Sequence, residues 1–195
     1  MLNRRTYFIR EHAGVFKLKD TYDILDPETQ QQIGYASETT PAWALWLRLL
    51  VKKRMLPLTI AVREQPESVP LIRIQRGWTL LRSKVAIIDA HGQPIGYFKS
   101  KLFSFNGGFY VFNAQDEQVA EVKGSWKNWD FKFLSTSGQE LGVVTKKWAG
   151  LGRELFTTAD NYLISIQDMG EQQAASNALL LAAGLAIDTV FYEQQ

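Results

Sequence analysis

Two tryptophans and four cations share one short stretch of this chain: Trp43, Trp46, Arg48, Lys52, Lys53 and Arg54. Tryptophan seeks membrane interfaces, and each cation beside it can meet an anionic headgroup at about 1 kcal/mol. Further on, Arg73, Arg76, Arg82 and Lys84 interleave with Trp78. Basic residues beside an aromatic can grip a phosphoinositide headgroup or a nucleic-acid backbone, and the same alternation suits the solvent face of strands. Together these ten cationic and tryptophan positions, Trp78 aside, are the candidate lipid-contacting set. Bond-making chemistry has no comparable signature. Cysteine is absent, which excludes thiol catalysis, thiolate metal sites and disulfides. His12 and His91 are the only imidazoles, too few for a multi-histidine metal centre. No phosphate loop, Gly-x-Ser-x-Gly elbow or His-Glu-x-x-His motif occurs, and an enzyme is not expected.

Charge distribution sharpens the basic segment. The formal net charge of the 195 residues is only +2. Residues 1–101 nevertheless carry sixteen basic and nine acidic side chains, and residues 102–195 carry six and eleven. Residues 42–84 alone hold nine basic and two acidic. If folding gathers that segment on one face, the molecule is electrically polarised, and an anionic partner stays open.

The elements that must position these residues fall into three kinds. Residues 40–55 read as a short helical insertion: Thr40 suits an N-cap, Pro41 the first helical position, and the terminal cations the negative end of the helix dipole. Its bland alternative is a helix plugging a barrel mouth with its charges solvated. Strands come from a weak internal repeat. Residues 22–26 with 33–35, 85–89 with 95–97, 109–113 with 119–121, and 131–135 with 141–143 follow one plan. Each is an apolar-rich run, a turn opened by Asp26, Asp89, Asn113 or Ser135, then a run starting apolar-small-x. Asp, Asn and Ser open turns by bonding backbone groups two residues on, and Gly92 and Gly138 supply freedom for positive φ. Looser copies pair 58–62 with 71–74 and 153–156 with 162–166. Six hairpins make twelve strands, held as a closed barrel or as a sandwich.

The third kind is a C-terminal helix over residues 172–193, whose 178–187 core is apolar all round. Ten residues rise only about 15 Å, half the thickness of the hydrocarbon layer, and a longer span would have to include Asp188. A buried helix is the better solution, and it favours the barrel: a barrel wide enough to need filling would surround it. Asp188 is expected as a core carboxylate satisfied by backbone or hydroxyl donors, and His91 as an exposed turn residue.

Lys147-Trp148-Ala149-Gly150-Leu151-Gly152-Arg153-Glu154-Leu155-Phe156-Thr157-Thr158-Ala159-Asp160-Asn161-Tyr162, the ending Ala182-Ala183-Gly184-Leu185-Ala186-Ile187-Asp188-Thr189-Val190-Phe191-Tyr192-Glu193, and the segments 94–97 and 129–133 between 7 and 193 resemble the phospholipid scramblase family. The wider superfamily includes LURP-one-related and Tubby C-terminal domains. The resemblance implies one domain over 1–195, a twelve-stranded antiparallel barrel around a hydrophobic C-terminal helix. It also implies a calcium loop before that helix. Here the matching residues are Asp160, Asn161 and Asp168, but Thr158 and Met169 stand where the end carboxylates belong. Calcium takes six to eight hard oxygens, and this loop offers two carboxylates and an amide. A strand-turn-strand is the competing reading, and no cofactor is expected. Without cysteine there is no S-acyl anchor.

The expected partner is an anionic phospholipid or membrane surface, with lipid movement between leaflets as the role the resemblance implies. No specific nucleic acid is expected. The rival is an intracellular regulatory scaffold of the LURP-one or Tubby type that binds a protein partner. No signal-length apolar stretch follows the basic start at residues 1–7, so the expected location is cytoplasmic, peripheral at the inner membrane face.

Overall fold

Strands alternate between residues that face the interior and residues that face out, and every outward-facing register follows from that period of two. A computed structural model of the chain describes residues 1–12, 20–39, 55–78, 84–101, 108–125, 127–146, 161–167 and 173–188, with side chains from 176 onward in the last segment. Among the described residues there are twelve strands: β1 Thr6–Glu11, β2 Thr21–Leu25, β3 Gln32–Glu38, β4 Leu58–Arg63, β5 Ile72–Arg76, β6 Lys84–Asp89, β7 Pro94–Ser100, β8 Phe109–Asn113, β9 Gln118–Ser125, β10 Asp130–Leu134, β11 Glu140–Thr145 and β12 Asn161–Ile166. Each pairs antiparallel with its neighbours in sequence, and β1 pairs with β12 to close the barrel. Closure removes every sheet edge, which a run of hairpins otherwise leaves exposed. One strand differs from the sequence reading. The twelfth member is Thr6–Glu11 at the start of the chain; residues 153–156, expected as a strand, lie outside the described residues. The apolar run Tyr7-Phe8-Ile9 carries the signal, though its pairing with β2 runs through the connection 12–20 and not through a tight turn.

The four regular hairpins share one turn. Asp26 Oδ1 accepts from the backbone N–H of Glu28 and Thr29, each at 2.9 Å. Asp89 Oδ1 accepts from His91 and Gln93, and Asn113 Oδ1 from Gln115 and Glu117. Ser135 Oγ accepts from Gln139 at 3.0 Å. The residue three after the opener has positive φ in three of them: Gly92 (82°), Asp116 (66°) and Gly138 (86°). In the first turn, one residue longer, it is Gln30 (57°). A register shift follows at the same place in each pair, between Ile24 and Leu25, Ile87 and Ile88, Val111 and Phe112, and Phe133 and Leu134. Such bulges tighten the twist, which a closing sheet requires.

Helix α1, Gln173–Ala186, fills the barrel. Leu181, Ala182, Ala183, Leu185, Ala186 and Ile187 are fully buried and join one core with the inward rows of the strands. This all-round burial is the reason its sequence has no polar stripe. Asn177 Nδ2 donates to Arg4 O (3.4 Å) near its start, where Tyr7 Oη also donates to Arg4 O (2.7 Å). The helix therefore runs from the end of the barrel that carries the tight turns toward the end that carries the long connections. The small residue of each apolar-small-x triplet, Gly34, Gly96, Ala120 or Gly142, faces inward and is buried. Among the described residues no helix is long and apolar enough to cross a membrane.

Candidate functional site

Chain topology gathers six pairs of strand ends at one end of the barrel. Strands β1, β3, β5, β7, β9 and β11 finish there, and their partners start there, so the connections 12–20, 39–57, 77–83, 101–108, 126–129 and 146–160 all attach to it. Inside this end, polar side chains continue the inward rows above the apolar core. Glu38 follows Gly34 and Ala36 in phase on β3, and Arg76 follows Ile72 and Ile74 on β5. Both are buried. Tyr22 of β2 and Tyr162 of β12 complete the layer, 2% and 0% exposed. Glu38 Oε2 accepts from the Asp20 N–H (3.4 Å), and Arg76 Nη2 donates to Leu56 O (3.3 Å).

Asp188 enters this layer at the far end of the helix, and Tyr22 hydrogen-bonds to it. Burial pushes its carboxyl up to about 7, and Glu11 adds to the rise; the Tyr22 bond and Lys146 oppose them. Burial also lifts both tyrosines well above the usual phenol range, with the Asp188 charge acting in the same direction. Tyr162 Oη has no hydrogen-bond partner among the described residues. Trp129 leans on Tyr162 with ring centroids 5.1 Å apart, and Lys146 Nζ stands 4.2 Å above the Trp129 ring. The arrangement can hold one proton near neutral pH beside an ammonium. Among the described residues no three His, Asp or Glu side chains are placed to hold a metal ion.

A second polar cluster lies on the outer face. Asp23 of β2 is 5% exposed because three side chains cover it. Arg10 Nη2 donates to Oδ2 (2.7 Å), while His12 Nε2 and Gln32 Nε2 reach Oδ1 at 2.8 and 3.1 Å. Burial raises the Asp23 carboxyl, but the bonds from Arg10 and His12 outweigh it and hold the group below its usual range. Beside it, Phe8, Leu25 and Leu163 form a small apolar cluster of paired residues on β1, β2 and β12.

The candidate lipid-contacting set divides accordingly. Lys84 is exposed at the start of β6, and Arg73 is half-buried on the outer face of β5. Trp78 is 62% exposed. Arg76 is corrected: it is 3% exposed and points into the barrel, because it shares the parity of Ile72 and Ile74. Trp43, Trp46, Arg48, Lys52, Lys53, Arg54 and Arg82 lie outside the described residues. So do Asp160 and Asp168; Asn161 opens strand β12 and is buried, so the stretch between the two aspartates is largely extended strand. His91 is exposed, as expected for its turn. Sequence reasoning missed Tyr22, Glu38 and Tyr162 as an inward polar layer. Their even spacing from Ile24, Ala36 and Ile164 was the available signal.

Comparison with known proteins converges on one family. The family model described as Scramblase matches residues 8–194. Human phospholipid scramblase 2 is 29% identical over 110 residues, covering 53% of this chain and 36% of that protein. Mouse phospholipid scramblase 1 is likewise 29% identical over 110 residues, 53% of this chain and 33% of its own. Human phospholipid scramblase family member 5 is 26% identical over 110 residues, 52% and 40%. The matched stretch thus spans about a third of the length of these relatives. No solved structure matches. A match running from the second half of β1 through the closing strand and the central helix covers every element of the barrel, and the chain belongs to the scramblase family.

Proposed function

We propose that this chain is a phospholipid-binding module that docks peripherally on an anionic membrane surface, acts by binding rather than by making bonds, and takes part in moving lipid between leaflets. The observation that carries this reading is the enclosure of helix α1. Its apolar core is buried on all sides by the strands, so that surface is already used in folding, and membrane contact falls to the outside of the barrel. In sequence, the link between β3 and β4 holds residues 40–55, where Trp43, Trp46 and four cations are concentrated. The names of the relatives, phospholipid scramblases, support a phospholipid as the substrate class.

Co-sedimentation with vesicles of phosphatidylcholine and phosphatidylserine tests the reading. Binding is expected to fall with salt, because exposed charges are screened beyond about 8 Å at physiological ionic strength. Trp43→Ala/Trp46→Ala is expected to reduce pelleting, and equal pelleting of variant and wild type would remove this segment from the contact. A wild-type protein that never pellets, yet copurifies with a stable protein partner, would replace the membrane reading with the scaffold.

A further inference from the structure

Strands β6 to β10 present a cationic outer face of which the sequence pattern singled out Lys84 alone. Lys84 of β6 and Lys99 of β7 stand directly opposite each other in register. Like charges in that position repel and weaken the strand pair. Neither lysine has a carboxylate partner among the described residues. Two strands on, Lys123 of β9 is opposite Lys132 of β10, another like-charge pair. These two have carboxylate neighbours, Glu121 at 3.1 Å and Glu140 at 2.8 Å, yet remain 56% and 57% exposed. Glu121 is shared, since Lys101 bonds to it as well. Asp130 is a further exposed carboxylate on these strands. Four exposed lysines on four strands therefore face outward, and two of them, Lys84 and Lys99, have no neighbouring carboxylate among the described residues.

The aromatic residues among them decide between anionic partners. Lys84 Nζ stands 4.0 Å from the centroid of the Tyr97 ring, and Phe112 stacks on that ring at 4.7 Å and 8°. Lys101 Nζ lies 5.0 Å from the Tyr110 centroid. Single-stranded nucleic acid binds such sheets by stacking bases on open aromatic faces. Tyr97 has its faces taken up by Lys84 and Phe112. The ammonium groups, in contrast, remain accessible to a layer of phosphates and carboxylates, and the exposed Val119 on β9 adds an apolar contact.

We infer that the outer face of β6–β10, centred on the Lys84–Lys99 pair, is a docking surface for an anionic bilayer, with its lysines meeting lipid headgroups. The inference rests on the membrane reading above and adds a surface distinct from residues 40–55. It is tested on the full chain by co-sedimentation with phosphatidylcholine vesicles containing phosphatidylserine, against phosphatidylcholine alone. Lys84→Gln/Lys99→Gln is expected to weaken binding about 30-fold, the loss for two lysines near such a surface. Lys84→Arg/Lys99→Arg, which keeps the charge, is expected to bind as wild type. Thermal melting of each variant reports folding, and the arginine pair separates loss of charge from loss of structure. Equal binding of wild type and the glutamine variant overturns this surface while leaving the membrane reading standing. A wild type that pellets with neither vesicle overturns both. Retention on poly(U) RNA that the glutamine variant loses, without vesicle binding, overturns the bilayer as occupant.

Discussion

Gly96 of β7 faces Leu179 of helix α1 so closely that a Cβ at position 96 would stand 2.7 Å from Leu179 Cδ2 and 2.3 Å from the Phe112 carbonyl oxygen. The close approach lets the helix sit against the barrel wall. On the opposite side Gly184 does the same for the helix itself, where a Cβ would come within 2.4 Å of Ile164 Cδ1. Gly96→Ala is therefore expected to destabilise the fold by about 1–3 kcal/mol, the usual range for overpacking a core. Urea unfolding followed by tryptophan fluorescence measures it. A variant as stable as wild type would mean that the helix can shift without cost.

The repeated turn predicts opposite effects at equivalent positions. Gly92 and Gly138 have positive φ and open space around the missing Cβ. Gly92→Ala and Gly138→Ala should each cost about 1 kcal/mol, from backbone strain alone. Gln30 holds the same conformation with a side chain, so Gln30→Gly should gain about 0.5 kcal/mol, the relief of strain less the added flexibility of the unfolded chain. Midpoints of thermal unfolding for the three variants check the signs. A loss at Gln30 would show that its side chain contributes more than its backbone costs.

Asp188 predicts a pH dependence. Its folded pKa, about 7, lies above the ordinary carboxyl value of 3.8. A raised pKa stabilises the fold fully below the unfolded value, and that contribution is lost as pH rises through the folded value. Wild type should therefore lose stability between about pH 4 and pH 7 at this site. Asp188→Asn, neutral throughout, should melt higher than wild type at pH 8 and alike near pH 4. Parallel melting curves across that range would mean that the carboxylate is ionised in the folded state at little cost. Asp23 acts in the other direction: its lowered pKa favours the fold above the unfolded value, and that support fades as pH falls through the folded one.

Much of the barrel is legible in the sequence. Asp26, Asp89, Asn113 and Ser135 opened their turns because a short side-chain oxygen reaches the backbone two to four residues on, a local event. The apolar helix announced its burial because a helix with no polar face needs apolar surroundings on every side. The site was less legible, because it depends on which distant residues share a layer. Arg76 looked like one more surface cation beside Trp78, and only its parity with Ile72 and Ile74 in a closed sheet turned it inward.

Composition and spacing by themselves determined the hairpins, their turn chemistry, the enclosed helix and the absence of thiol chemistry, since each depends on residue type or on contacts within a few positions. Only the tertiary structure decided that Thr6–Glu11 closes the barrel against β12, that Tyr22 meets Asp188, and that Lys84 stands opposite Lys99. The physical reason is register. Which residues face each other across a strand pair is set by turn length, bulges and ring closure together, and a shift of one residue would reverse every face that these functions require.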